Sequence, residues 1–231
     1  MTLEKVTNMA DKKSAKRGGK AKKASADSPN LRVIKAAMAL AAVQGWHDTT
    51  LADIADEAGL NLAEVRQLYG SKTAILAGLI RQTDEQVLRD SGADMMAEPV
   101  RDRLFDVIMR RLDALAPYRD GIAAIARDLR HEPTALACLA AGPGRRSLQW
   151  MLEAARIQPW SLLAPLQLKG LGFVYLSVLR VWLYDEGEDL AQTMAALDKA
   201  LGRVENILGS LRRGSGRFRR SRDNAEDADE A

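Results

Sequence analysis

Between Thr49 and Lys72 the chain places helix starts and a helix stop in close succession, and this stretch constrains the fold more than any other. Thr50-Leu-Ala-Asp53 reads as a capping-box start, in which the hydroxyl accepts a free amide and the acid returns the bond. Leu51, Ile54, Ala55 and Ala58 then follow at i, i+3, i+4 and i+7, which gives a helix one apolar face. Gly59 ends it, because glycine enters the left-handed region without steric cost. A second short helix is predicted from Asn61 to Tyr69, and Ser71 caps the next one. Helices this short gain their stability from packing rather than propensity. Two of them joined by a Gly-containing turn and laid on a longer first helix make a helix-turn-helix unit.

That longer helix is predicted just upstream. Ser28 caps it, and Pro29 fits the first helical position because its missing N–H had no partner there. Leu31, Ile34, Met38 and Val43 fall near helical spacing, ending around Gly45. After Ala97-Glu98-Pro99, helices are predicted at 99–116, 119–131, 133–141, 145–156, 165–184 and 188–212. Pro117, Pro133, Gly142-Pro143-Gly144, Pro159 and Gly187 are read as their breaks. No alternating strand pattern competes, and aromatic residues make up only 5% of the chain. An all-α protein is expected.

The formal charge of +3 hides an uneven distribution. Residues 1–29 are net +5, 30–72 net −1, 73–208 net −2 and 209–231 net +1. The basic stretch holds Lys12, Lys13, Lys16, Arg17, Lys20, Lys22 and Lys23 among Gly, Ala and Ser, with little to bury. The end of the chain is a basic run, Arg212 to Arg222, followed by an acidic one, Asp223 to Glu230. Both read as disordered tails. The expected organisation is a basic arm at 1–27, a head at 28–75, a helical domain at 76–212 and a charged tail at 213–231.

Several classes are excluded. Cys138 is the one cysteine, so no internal disulfide forms. No uncharged run exceeds 12 residues, well short of the roughly 20 a membrane helix needs. No apolar core of a secretory signal opens the chain, and a cytoplasmic protein is expected. His47 and His131 sit in no metal or triad pattern, and no phosphate loop or nucleophile elbow occurs. The expectation is a non-enzyme with no cofactor and no metal.

The segment from Thr49 to Lys72 resembles the tetracycline-repressor (TetR) family of bacterial transcription regulators. Thr49, Thr50, Ile54, Ala55, Ala58, Gly59, Leu60, Tyr69, Ser71 and Lys72 match its pattern, as does Gly45-Trp46 before it. The resemblance covers about residues 30–85 and implies a homodimer reading double-stranded DNA. A helical wheel with Leu62 at 0° places Val65 and Tyr69 on the buried side of the recognition helix. Ala63, Glu64 and Gln67 lie opposite, facing a major groove. Gln67 suits adenine, Ala63 a thymine methyl and Glu64 the cytosine amino group. Arg66 stands where the family commonly has a phosphate-contacting Tyr. Thr50 and Lys72 would be further phosphate contacts. Tyr69, the motif's aromatic, completes the candidate set.

The C-terminal half is distantly similar to ubiquinone-biosynthesis accessory proteins that share the TetR fold. The counterparts are Trp150, Tyr175, Ser177, Trp182, Asp185, Asp189, Thr193, Leu197 and Asp198. That resemblance implies a lipid- or isoprenoid-binding protein whose head no longer meets DNA, and it stands beside the regulator as a second reading. Trp150, Met151, Phe173, Tyr175 and Trp182 are candidates to line a pocket for a small hydrophobic ligand, or else fill an ordinary core. The segment 165–184 is apolar nearly all round, so burial on more than one face is expected. Pairing of about 165–212 with a second copy, as in the TetR family, would provide it.

Overall fold

The computed structural model describes residues 27–89, 97–158 and 164–206. Among them every regular element is helical and no strand occurs. The basic arm and the charged tail lie outside these residues.

The head is built as its caps dictate. Helix α1, Pro29–Gln44, starts with the Ser28 hydroxyl accepting from the Leu31 amide at 3.3 Å and ends at Gly45, where φ is +87°. Helix α2, Leu51–Ala58, carries the full capping box. The Thr50 hydroxyl accepts from the Asp53 amide at 3.1 Å, and the Asp53 carboxylate accepts from the Thr50 amide at 2.9 Å. Gly59 closes α2 in the left-handed region. Arg32 reaches across from α1 and donates to the Ala58 and Gly59 carbonyls at that end. Helix α3 is Leu62–Leu68, and α4 is Lys72–Arg89, capped by Ser71 on the Ala74 amide at 3.1 Å. α4 runs through the expected boundary at 75/76, so the head and the rest of the chain share one helix.

Beyond it come α5, Val100–Leu115, α6, Arg119–Asp128, α7, Pro133–Leu139, α8, Arg145–Ala154, and α9, Ala164–Trp182. A last helix, α10, covers 191–206. α1 packs against α2, α4 and α6, with Val33, Ala37 and Ala41 wholly buried. Gly121 on α6 lies against the Met38 backbone of α1. Asp128, the last residue of α6, accepts from the Trp46 amide at 2.8 Å and the His47 amide at 3.0 Å. The loop after α1 is thereby held to α6.

Those bonds, that from His47 foremost, hold the Asp128 carboxyl below its ordinary range. A depressed folded pKa contributes stability that is present above the unfolded value and is lost as pH falls through the folded one. The melting temperature of the wild type should therefore exceed that of Asp128→Ala at neutral pH. The gap should shrink as pH falls below about 4. Thermal melts at pH 7, 5 and 3.5 measure it, and a gap that does not narrow with acid would contradict the reading.

Two expectations about elements are corrected. Gly142-Pro143-Gly144 does not break the helix: α7 passes into α8 through one wide turn, Ala140–Gly144. Widening relieves the clash that a proline ring makes with the carbonyl four residues back. Gly144 tolerates it because a Cβ there would lie 2.9 Å from the Leu139 carbonyl. Within the chain α9 buries one face: Leu171, Val174, Val178 and Trp182 are buried, while Phe173 and Leu176 are 71% and 64% exposed. Second, α10 starts at 191 rather than 188, because 185–190 forms a tight turn. The buried Asp185 carboxylate accepts from the Thr193 amide at 2.8 Å and hydroxyl at 2.7 Å, and Leu190 sits at φ +51°.

Candidate nucleic-acid interface

Helix α3 is seated by Val65, which is fully buried, and by Tyr69, which follows its last turn. Leu62, Ala63, Glu64, Arg66 and Gln67 are exposed. Leu62 departs from the expectation that it shares the buried side. The buried arc is centred on Val65, about 60° around the axis from Leu62, and that offset leaves Leu62 half exposed. The face presented to solvent is therefore Leu62 and Ala63 with, one turn on, Arg66 and Gln67. The Arg66 and Gln67 side chains hold no intramolecular hydrogen bond among the described residues, so their donors are available to a partner.

Glu64 has a local task. Its carboxylate accepts from the Asn61 amide at 2.8 Å, and the Asn61 side chain accepts from the Glu64 amide at 2.9 Å. This is a second capping box, and it places negative charge at the positive end of α3. Asn61 followed three residues later by Glu64 was the sequence signal for it, and the helical wheel overlooked it.

The remaining candidates divide. Thr50 is exposed, and its oxygen is engaged by the Asp53 amide while its proton stays free to donate. Lys72 donates to the Trp46 carbonyl and, at 3.4 Å, to that of His47, and lies 4.7 Å over the Trp46 ring. Partial burial lowers its pKa. It pins the loop before α2 and keeps one side toward solvent. Tyr69 is corrected as a contact residue. It is 4% exposed, its buried hydroxyl has no hydrogen-bond partner among the described residues, and its ring lies against Gly78 of α4. Burial pushes its phenol up. Its task is to seat α3 on α4.

The five candidate ligand residues do not share a cavity. Met151 and Trp182 are buried in the core, and the Arg119 guanidinium stacks over the Trp182 ring at 5.3 Å. Phe173 faces solvent. The Tyr175 hydroxyl accepts from Arg111 Nε at 3.1 Å. Trp150 alone of the five lines the large surface groove between α8 and α9. The residues matched to the accessory proteins include Asp185, Asp189 and Thr193. Asp185 and Thr193 join in the turn before α10, and the Asp189 side chain accepts from the Ala191 amide at 3.2 Å.

Sequence reasoning missed the polar centre of the C-terminal helices. Asp84 on α4 pairs with Arg111 on α5 and accepts from the Ser147 hydroxyl on α8 at 2.6 Å, while Arg111 reaches Tyr175 on α9. Asp84, Arg111 and Ser147 are 8%, 3% and 4% exposed, so their polar atoms depend on one another. Four helices meet at this cluster. Among the described residues no group of His, Cys, Asp or Glu could hold a metal ion. No helix there is long and apolar enough to cross a membrane.

A short helical pair seated on a longer helix, with a polar outer face on its second member, defines a helix-turn-helix protein. Residues 33–79 match the family model described as bacterial regulatory proteins, tetR family. Among solved structures, the fold is similar to a TetR transcriptional regulator from Nitrosomonas europaea, at 26% identity and a TM-score of 0.61, over 77% of this chain and 98% of that one. It is also similar to a TetR transcriptional regulator from Rhodococcus sp. RHA1, at 19% identity and a TM-score of 0.54, over 75% of this chain and 93% of that one. No curated protein sequence matches. Residues 33–79 are thus a TetR-family N-terminal domain, and the chain has the TetR-like all-α fold.

Proposed function

We propose that this chain is a DNA-binding transcription regulator that works as a homodimer on a palindromic operator and answers to a hydrophobic effector. The observation that carries it is the outer face of α3. Leu62, Ala63, Arg66 and Gln67 are exposed on a helix fixed at its start by a capping box and at its end by buried Tyr69. A rigid helix with free polar donors is what a major groove accepts. Arg66 and Lys72 supply charge for phosphates, and the basic arm adds more. The apolar face of α9 at Leu166, Phe173 and Leu176 supports pairing with a second copy.

A mobility-shift assay with the DNA flanking the coding region tests the reading. A sequence-specific shift is expected, and its absence at low salt would overturn it. Fluorescence anisotropy on the shifted duplex then separates the residues. Leu62→Ala and Gln67→Ala should each relax preference at one base-pair position by about 1–3 kcal/mol without changing the salt slope. Glu64→Ala should cost stability by about 0.3–1 kcal/mol, because it removes the carboxylate at the positive end of α3 while Asn61 still caps it. It should also tighten binding to every duplex, most at low salt where screening is weakest. Leu62 and Gln67 variants that keep the wild-type base preference at every position would count against α3 as the reader.

A further inference from the structure

A groove of about 980 Å3 lies between α8 and the first half of α9. Such a volume lies near the top of the range of small-molecule sites, about 300–1,000 Å3. Leu148, Leu152 and Leu168 line it with apolar carbon, and Trp150 is 46% exposed along its side. Arg145, Arg146 and Lys169 also line it, all three exposed, against one acid among the described residues, Glu153. None of the three cations holds an ion pair among the described residues. An uncompensated cationic rim over an apolar floor suits one kind of molecule, with a negative head and a hydrocarbon body.

We infer that this groove binds a single-chain anionic amphiphile, a fatty carboxylate. Its chain lies along Leu148, Leu152 and Leu168 under the Trp150 ring, and its head meets Arg145, Arg146 and Lys169. Each buried methylene contributes hydrophobic affinity, and the cations select the carboxylate over an alcohol. A second copy of the chain is a poorer occupant. A two-fold interface centred on the groove would bring these three cations toward the same three on the copy. The open face of α9 borders the groove rather than covering it: Phe173 is about 140° around the axis from Leu168, with Lys169 between them at about 100°. This deepens the effector part of the proposed function, yet binding is measured without DNA, so failure of one leaves the other standing.

The test titrates the full chain by calorimetry with dodecanoate and dodecyltrimethylammonium, each below its micelle concentration, and with dodecanol below its solubility limit. Saturable one-to-one binding of dodecanoate is expected, at least tenfold tighter than dodecanol and weakened by salt. The triple variant Arg145→Gln, Arg146→Gln, Lys169→Gln should bring dodecanoate down to the affinity of dodecanol and remove the salt dependence. Trp150→Ala should weaken both. All four positions are exposed, and circular dichroism checks that the variants fold. Equal binding of the three amphiphiles, or dodecanoate binding that the triple variant leaves intact, would overturn the inference. So would a dimer, measured by sedimentation, that falls apart in the triple variant, because the groove would then belong to the second copy.

Discussion

Asp84→Ala is expected to lower the free energy of unfolding by about 3–5 kcal/mol, because it leaves Arg111 charged and buried with no counter-charge. Urea denaturation followed by circular dichroism measures it. The size of the effect comes from what remains after the change. Arginine does not shed its proton, and the Ser147 hydroxyl loses its acceptor at the same time. Replacing both charges, Asp84→Leu with Arg111→Met, should recover most of the loss, since an apolar pair of similar volume avoids the desolvation that the ion pair incurs. If the double variant is as unstable as Asp84→Ala, the cluster is not acting as a charge pair. The cluster also fixes α4 relative to α5, α8 and α9. The double variant, once shown to fold, is therefore the material in which to ask whether effector and DNA still influence one another.

Gly121→Ala should have the second large effect. A Cβ at Gly121 would lie 2.4 Å from the Met38 carbonyl oxygen and 3.0 Å from the Met38 carbonyl carbon and Cα. Backbone atoms cannot rotate away as a side chain can, so α1 and α6 must separate along their shared contact. A cost of about 3 kcal/mol follows, the upper end for an overpacked core. Gly170→Ala is the control. Gly170 lies within α9 with open space around it, and there alanine should stabilise by about 0.5–1 kcal/mol, because glycine loses more backbone freedom on folding. Opposite shifts in melting temperature for the two variants would establish that close approach, not helix propensity, sets the residue at 121. A Gly121→Ala variant that melts with the wild type would refute it.

Much of the head was legible because its signals are local. Thr50 with Asp53, Gly59, and Ser71 with Ala74 each settle within a few residues, and the structure has every one of them. The recognition face was read less well. A wheel referred to Leu62 assumed where the buried arc was centred, and only Val65 and Tyr69 packed in place define that centre. Glu64 was read by its chemistry toward a partner, although its nearest partner is the amide three residues before it. The C-terminal half was legible as helices but not as a site. Asp84, Arg111, Ser147 and Tyr175 are unremarkable one at a time, and nothing in their spacing announces that folding brings them together. Aromatic side chains at helical spacing do not reveal which way each faces, and so Phe173 and Trp182, on one helix, end in opposite surroundings.

The wide turn at Ala140–Gly144 makes residue count a structural variable. A helix that winds through such a turn has absorbed an insertion without changing direction. Turning less per residue there, the helix offsets the rotation of about 100° that one extra residue would otherwise impose on everything downstream. Ser147 and Met151 therefore still face inward, with Arg146 and Trp150 beside them left outside. A descendant chain that dropped one residue between Leu139 and Arg145 would close the wide turn into a regular helix and keep Ser147 toward Asp84. A chain that dropped one residue within α8 instead would have no wide turn to give up, and would bring a different row toward Asp84 and the groove. Tolerance of a length change in this part of the molecule is thus confined to those five residues.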